Sequence, residues 1–548
     1  MKQVLPNPLY YLSNFQLVLE WVRDRYGDLL TEEERKFIDD FAGLPTNAMA
    51  LLVRMVMRKG VFFRHSKLHY PEIGDVDAAL TPLMQIKWVE SDPSLTLDQL
   101  FDLSSKPELL MHFELGSAQK QLSKADLLTY LRESEPNEKP YSQWCPKSQD
   151  AVVHIRNKTI CDRFRLIFFG NAHQDWSEFV LSDLGIYRYE TIEISPESRG
   201  FQSRRDIDDY IQLHEYRELL DAGSSLAFIV EKLIQLQIDN TWINRRREKL
   251  LYQIGQLAEK DKEWDIALVS YEHSRYPGSR SRRIRVLEKT NKTEQALQLL
   301  TEALGAPENE AEIQQLQRSA PRLQRQLGQQ ASTKSKKADV DTIALKLAQP
   351  EQAWSVEETV RTHLVQEDAP VFYVENTLIN SLFGLLCWNA VFKPISGAFF
   401  HPFHRSPVDL TSVDFHQRRE AEFAACFAQL HTGDYIATIK RHFELKSGIQ
   451  SPFVSWGAIT IDILDLALEC IPPSDLQHWF NRILSDIKSN RNGFPDLIQF
   501  WPKERRYRMI EVKGPGDRLQ DNQKRLIDFC HQHQMPISVC YLTWAEDV

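Results

Sequence analysis

Between residues 14 and 61 apolar positions recur every third or fourth residue, as in Phe15, Val18, Leu19 and Val22 and later Leu51, Leu52, Met55 and Val56, which predicts a small helical bundle. The pattern then gives way to Phe62-Phe63-Arg64-His65-Ser66-Lys67-Leu68-His69-Tyr70-Pro71-Glu72-Ile73, where aromatic and basic residues interleave. Arg64 and Lys67 suit contact with a DNA backbone, and a core-packed strand with two solvated charges fits equally well. Short helices are expected over 95–113 and 122–131, the latter opened by Ser123 as N-cap with Asp126 at its third position. From 210 to 304 the helical period is almost unbroken. Residues 309–338 are rich in Gln, Ser and Lys and end in Lys334-Ser335-Lys336-Lys337, a composition that buries little apolar surface, so a domain boundary is placed there. The most apolar stretch, 381–392, reads as a buried helix: it contains Asn389 and is far shorter than the roughly 20 residues a bilayer crossing needs.

Composition narrows the class further. A length of 548 residues allows three or four domains, at roughly 150 residues each. With 42% hydrophobic and 26% charged residues, the chain has material for buried cores, which excludes gross disorder and collagen. Its seven cysteines are scattered and never spaced Cys-x-x-Cys, so neither a disulfide framework nor a zinc finger is expected. The first residues lack a secretory signal, and the expected location is cytoplasmic, nucleoid-associated when bound to DNA. A formal charge of −10 means that any nucleic-acid role needs basic residues concentrated locally.

Such concentrations exist. The stretch opened by Ser123 looks like the helix, extended loop and helix of a SAP module, a small DNA-binding unit, although a plain helical hairpin gives the same pattern. Trp264-Asp265-Ile266-Ala267-Leu268-Val269-Ser270-Tyr271 and Glu294-Gln295-Ala296-Leu297-Gln298-Leu299-Leu300 place small Ala beside large apolar residues, as in stacked tetratricopeptide-like helix pairs or in ordinary antiparallel helices. Arg275, Arg280, Arg282, Arg283 and Arg285 lie between them, and Arg245-Arg246-Arg247 just upstream. These are solvated helix faces, or in a nuclease they are guanidinium forks for phosphate.

The sharpest chemical signal lies near the end of the chain. Gly493-Phe494-Pro495-Asp496-Leu497-Ile498-Gln499-Phe500-Trp501, a polar turn 502–506 and Tyr507-Arg508-Met509-Ile510-Glu511-Val512-Lys513 read as a β-hairpin. Alternation points Glu511 and Lys513 to one side and Ile510 and Val512 into the core, and a matched register brings Asp496 near Glu511 at a sheet edge. Two carboxylates and an ammonium then suit phosphodiester hydrolysis assisted by Mg²⁺ or Mn²⁺, the PD-(D/E)xK nuclease pattern. Gly514-Pro515-Gly516 leads into a helix that carries Arg518, Gln523 and Lys524 toward the same place. His401 and His404 could serve as metal ligands, but packed or surface histidines account for them more readily. No Walker or dinucleotide-binding glycine loop occurs.

Gly493-Phe494-Pro495-Asp496-Leu497, Glu511-Val512-Lys513-Gly514-Pro515 and Asp517-Arg518-Leu519 resemble the virus-type replication-repair nuclease (VRR-NUC) domain of the Fanconi-associated nucleases, in their shorter bacterial form. Glu375-Asn376-Thr377-Leu378-Ile379-Asn380 is similar to that family's helix with an extra metal-binding glutamate, and the resemblance runs over nearly the whole chain. It implies a multidomain fold, mostly α-helical in its N-terminal and middle regions, with a C-terminal α/β nuclease core. The expected division is a helical DNA-binding region over 1–90, a SAP-like region over 91–210, TPR-like repeats over 211–330 and the nuclease domain over 340–548. The resemblance further implies that Glu375, Asp496, Glu511 and the Val512 carbonyl bind Mg²⁺ or Mn²⁺ and that Lys513 is the catalytic lysine. The implied activity is 5′-flap endonuclease and 5′→3′ exonuclease action on branched DNA in repair, interstrand crosslinks included. A basic pocket for the 5′ phosphate is implied in the repeat region, with Arg245, Arg246, Arg280, Arg282 and Arg283 as candidates. The eukaryotic members' ubiquitin-binding zinc finger is not seen. A junction resolvase or restriction-like enzyme on the same core, or a non-catalytic repair scaffold, are the alternatives.

Overall fold

In the computed structural model the protein is described over residues 7–113, 115–174, 187–330, 340–349 and 355–545. The chain divides into two units, Met1–Tyr187 and Arg188–Val548.

The predicted apolar stripe of the first unit is its core. Phe15, Val18, Leu19 and Val22 are buried on the helix Tyr10–Tyr26, and Leu51, Leu52, Met55 and Val56 on Thr46–Val56. Between them Glu32–Ala42 opens on a capping box, in which Thr31 Oγ1 accepts from Glu34 N at 3.2 Å and Glu34 Oε2 accepts from Thr31 N at 2.9 Å. The aromatic and basic phrase is a strand for only three residues, β1 (Phe62–Arg64). After it come β2 (Val89–Ser91), a short pair β3 (Ser94–Leu95) and β4 (Lys139–Pro140), and β5 (Val152–Ile155), which pairs antiparallel with both β1 and β2. Ser123 caps the helix Lys124–Arg132 as expected, accepting from Asp126 N at 3.1 Å. Leu127 and Leu131 of that helix pack with Leu97, Leu100, Phe101, Leu109 and Trp144.

The second unit begins with helices Arg204–Asp221, Leu226–Gln235, Thr241–Asp261, Trp264–Glu272, Ser279–Lys289 and Thr293–Gly305. Close packing here uses small residues, as anticipated. Ala258 and Ala267 are fully buried beside Tyr271, and a Cβ added at Gly255 would lie 2.6 Å from the Tyr271 ring. The Gln-rich stretch departs from expectation. Glu310–Gln326 is a helix capped by Asn309, and it buries Leu316, Ala320 and Leu323 against Leu300 and Ala303. Its apolar residues fall on one face at helical spacing, so a polar average composition conceals a packing stripe. The lysine run 334–337 lies outside the described residues.

The remaining strands form one sheet. They are β6 (Thr342–Leu347), β7 (Val371–Tyr373), β8 (Leu497–Trp501), β9 (Arg506–Lys513) and β10 (Ile537–Trp544), in the order β6-β10-β9-β8-β7. The predicted hairpin is β8–β9, antiparallel from Leu497↔Ile510 to Trp501↔Arg506. Its place in the sheet corrects the edge placement: β9 is the central strand, flanked by β8 and, in parallel, by β10. That position explains why its burial is nearly continuous, charged Glu511 and Lys513 included. A parallel neighbour requires a crossover, and the helix Asp521–Gln532 supplies it, starting at the C-terminal end of β9. Ile510, Val512, Leu497, Val371, Cys540 and Leu542 form a core with Val360 of the helix Val356–Leu364. The apolar stretch before residue 392 is buried as expected, in two pieces, Leu378–Leu386 and Trp388–Val391. All seven cysteines are buried and unbridged. Among the described residues no helix is long and apolar enough to cross a membrane.

Candidate active site

Strand register assembles the site. One step beyond Leu497↔Ile510 sets Asp496 opposite Glu511. One step beyond Tyr373↔Leu497 sets Val374 opposite Asp496, and there Val374 N donates to the Asp496 carbonyl at 2.8 Å. Glu375 follows immediately, so three adjacent segments deliver Glu375, Asp496 and Glu511 to the same end of the sheet. Asn376, in the left-handed region at φ 52°, stitches two of them together: its Nδ2 donates to Glu375 Oε1 at 3.2 Å, and its Oδ1 accepts from Phe494 N at 3.0 Å. Tyr373 OH donates to the other oxygen of Glu375 at 2.5 Å.

The hairpin carboxylates are deeply set. Asp496, Glu511 and Lys513 are 9%, 2% and 8% exposed, which excludes a solvated surface pair on an edge strand. Asp496 Oδ2 accepts from Val512 N at 2.8 Å. Lys513 Nζ donates to Glu511 Oε1 at 2.6 Å. Burial is the main force on both acids, raising Asp496 to about 6 and Glu511 to about 7. Mutual repulsion adds to it: Glu375 raises Asp496, and Asp496 raises Glu511, while Val512 N and the Lys513 ammonium act in the opposite direction. Clustered, partly desolvated carboxylates that destabilise one another form an all-oxygen donor set, the chemistry that Mg²⁺ or Mn²⁺ prefers. Among the described residues no three His, Cys, Asp or Glu side chains are already closed into ligand geometry.

Three participants escaped sequence reasoning in whole or in part. Tyr373 and Asn376 gave no signal beyond flanking Glu375. Gln523 lay on a helix directed at the site, and its contact, Nε2 to Glu511 Oε1 at 2.5 Å, was not foreseen. The spacing Gln520-x-x-Gln523 after a glycine-containing turn is the readable trace of that helix start.

The candidate DNA-binding residues are placed differently. Arg64 is held inside the first unit by Glu108 at 2.5 Å and Asp150 at 2.7 Å, while Lys67 is exposed. In the helical middle region Arg280 pairs with Glu312 at 2.6 Å, Arg282 with Glu259 at 3.4 Å and Arg283 with Glu272 at 2.6 Å. Arg245 donates to the Thr411 carbonyl. The Arg246 guanidinium lies over the rings of Trp242 and Tyr210, at 4.6 and 4.9 Å. These contacts commit each arginine to a partner within the protein. Arg518 is exposed on the loop after β9. His401 is buried and His404 half-buried; their rings stack at 3.9 Å and accept from Phe403 N at 3.0 Å and Phe400 N at 3.2 Å, so both serve packing.

Comparison with known proteins accords with this geometry. Residues 9–90 match the FAN1 HTH domain, residues 94–144 the Fanconi anemia-associated nuclease SAP domain and residues 431–544 the VRR-NUC domain. The last span contains Asp496, Glu511 and Lys513, and Glu375 lies upstream of it. The Fanconi-associated nuclease 1 homolog of Pseudomonas aeruginosa is 49% identical over 543 residues, covering 99% of this chain and 97% of that protein. The homolog of Oryza sativa is 22% identical, over 98% of this chain and 63% of the rice protein. A solved structure of paFAN1 bound to 2-nucleotide 5′-flap DNA with a gap superposes with a TM-score of 0.89 at 48% identity, over 100% of both chains. A second, with 1-nucleotide 5′-flap DNA, gives 0.88 at 49% identity over 99% of this chain. In near full-length similarity and in its VRR-NUC motif residues, the chain belongs to the Fanconi-associated nuclease family.

Proposed function

We propose that this protein is a divalent-metal-dependent, structure-selective DNA nuclease that cuts 5′ flaps and degrades DNA from 5′ ends, acting in DNA repair, including that of interstrand crosslinks. The observation that carries the proposal is the in-register meeting of Asp496 and Glu511 at the end of β9, with Lys513 on Glu511 and Glu375 alongside. Glu375, Asp496, Glu511 and the Val512 carbonyl would hold Mg²⁺ or Mn²⁺, which when bound supplies Lewis-acid stabilisation to the phosphate under attack. The rest of the work falls to the chain itself. The Val512 N–H fixes the Asp496 carboxylate, and Glu511 aims the Lys513 ammonium across the same sheet end. That ammonium can position the attacking water and neutralise charge that develops on the phosphate oxygens, a stabilisation strengthened by burial. Flap selectivity and the repair setting draw support from the relatives: several are named Fanconi-associated nucleases, and one is solved on 5′-flap DNA.

The test is gel analysis of end-labelled 5′ flaps, Holliday junctions and plain duplex with Mg²⁺, Mn²⁺ or EDTA. The expected result is incision of the flap strand, progressive shortening of duplex from 5′ ends and no cleavage in EDTA. Preferential resolution of the junction would replace the flap reading with that of a resolvase. Intact substrates in both metals would leave a DNA-repair scaffold.

A further inference from the structure

Glu511 Oε1 receives two donors, Lys513 Nζ at 2.6 Å and Gln523 Nε2 at 2.5 Å. Only the first belongs to the Glu-x-Lys pair. Gln523 is the third residue of the helix Asp521–Gln532, where it completes a capping box: its Oε1 accepts from Gln520 N at 2.8 Å, and the Gln520 side chain accepts from the Gln523 backbone. A primary amide whose oxygen is committed on one side presents its nitrogen to the other. The cap therefore aims the Gln523 NH₂ at Glu511. The helix start is anchored in turn. Gly514 N donates to Asp517 Oδ2 at 3.0 Å, and the Arg318 guanidinium grips both oxygens of Asp521 at 2.6 and 2.7 Å.

We propose that Gln523 is a positioning residue of the nuclease site, fixing the Glu511 carboxylate with Oε1 turned toward Lys513 and Oε2 left as the oxygen offered to a divalent cation. The inference rests on the metal-dependent reading of the site given above. Both donors to Glu511 fall on Oε1, and among the described residues none falls on Oε2. A carboxylate ligand is oriented by just such a hydrogen bond to its second oxygen, and loss of one costs about 10- to 100-fold in metal affinity. Sharing Oε1 with an amide also leaves the Lys513 ammonium one acceptor there and its remaining protons for the substrate side. Without Gln523 the Glu511 carboxylate can swing so that Lys513 takes both oxygens, closing the pair on itself.

The alternative role for Gln523 is capping alone, and the two roles separate by comparison of Gln523→Met with Gln520→Ala. Each variant removes one half of the capping box, but only Gln523→Met removes the donor to Glu511. Mn²⁺ binding to the full-length protein without DNA, followed by titration calorimetry, should weaken by about tenfold or more in Gln523→Met and stay within about twofold of wild type in Gln520→Ala. Flap cleavage by Gln523→Met should regain most of its kcat at raised Mn²⁺. Wild-type Mn²⁺ affinity in Gln523→Met, or equal weakening in both variants, overturns the assignment. Glu511→Ala is the control for the underlying reading. If it binds Mn²⁺ as wild type does, the metal reading itself falls and the role of Gln523 with it; if it loses Mn²⁺ while Gln523→Met keeps it, only the positioning role falls.

Discussion

Asp496→Ala should abolish cleavage of a 5′-flapped duplex, with a loss of about 10³-fold or more, while binding of the same duplex in EDTA stays close to wild type. Removing a single well-placed electrostatic group from an active site costs on the order of 10²–10³ in rate, and the proposed reading gives Asp496 such a role together with that of a cation ligand. Lys513→Ala should lose activity similarly, since it strips the ammonium from a carboxylate that is only 2% exposed. Asp496→Asn separates chemistry from folding. It keeps an acceptor for Val512 N, hydrogen-bonded at 2.8 Å in the wild type, and removes the charge. Because the site gathers like charges, removing one should leave thermal stability unchanged or slightly higher. Flap cleavage at the wild-type rate in Asp496→Ala would refute the assignment of this residue.

The second large effect concerns stability. Arg419 is fully buried, and its guanidinium forms a bidentate pair with Asp409, 4% exposed, at 2.8 and 2.9 Å, while lying 4.2 Å from the Phe415 ring centroid. Arg419→Ala leaves one oxygen of Asp409 without its donor and opens a void beneath Phe415. Arg418 still reaches Asp409 Oδ2 at 2.8 Å, which places the cost near the lower end of the range for breaking buried pairs, about 3 kcal/mol. Denaturant unfolding should show the loss, with flap cleavage at low temperature largely preserved because Arg419 makes no contact with Asp496, Glu511 or Lys513. An unfolding midpoint equal to wild type would mean that the pair contributes nothing net.

How much of this was legible in the sequence depended on how local the determinants are. The hairpin was readable because turn residues 502–505 separate two apolar runs whose alternation sets the register, and that register alone brings Asp496 to Glu511. The central position of β9 was hidden, since it depends on β10 and β6 pairing in parallel through distant segments. Glu375 was invisible to periodicity for the same reason. It reaches the site through β7 pairing with β8, and the family resemblance, not its local pattern, pointed to it. The arginine clusters were visible as charge, but their partners Glu312, Glu259 and Glu272 sit on other helices and appear only once these pack. The helix Glu310–Gln326 was misread because its polar and charged residues together outnumber its apolar ones, although three buried apolar positions on one face suffice to dock it.

The central claim is that Glu375, Asp496 and Glu511 hold a divalent cation together at the end of β9. Crystals of the protein soaked in Mn²⁺ and measured at the manganese absorption edge test this directly. The account predicts an anomalous peak bounded by these three carboxylates and the Val512 carbonyl, lost in Glu511→Ala. A peak elsewhere, or none at Mn²⁺ concentrations that support flap cleavage, would contradict it.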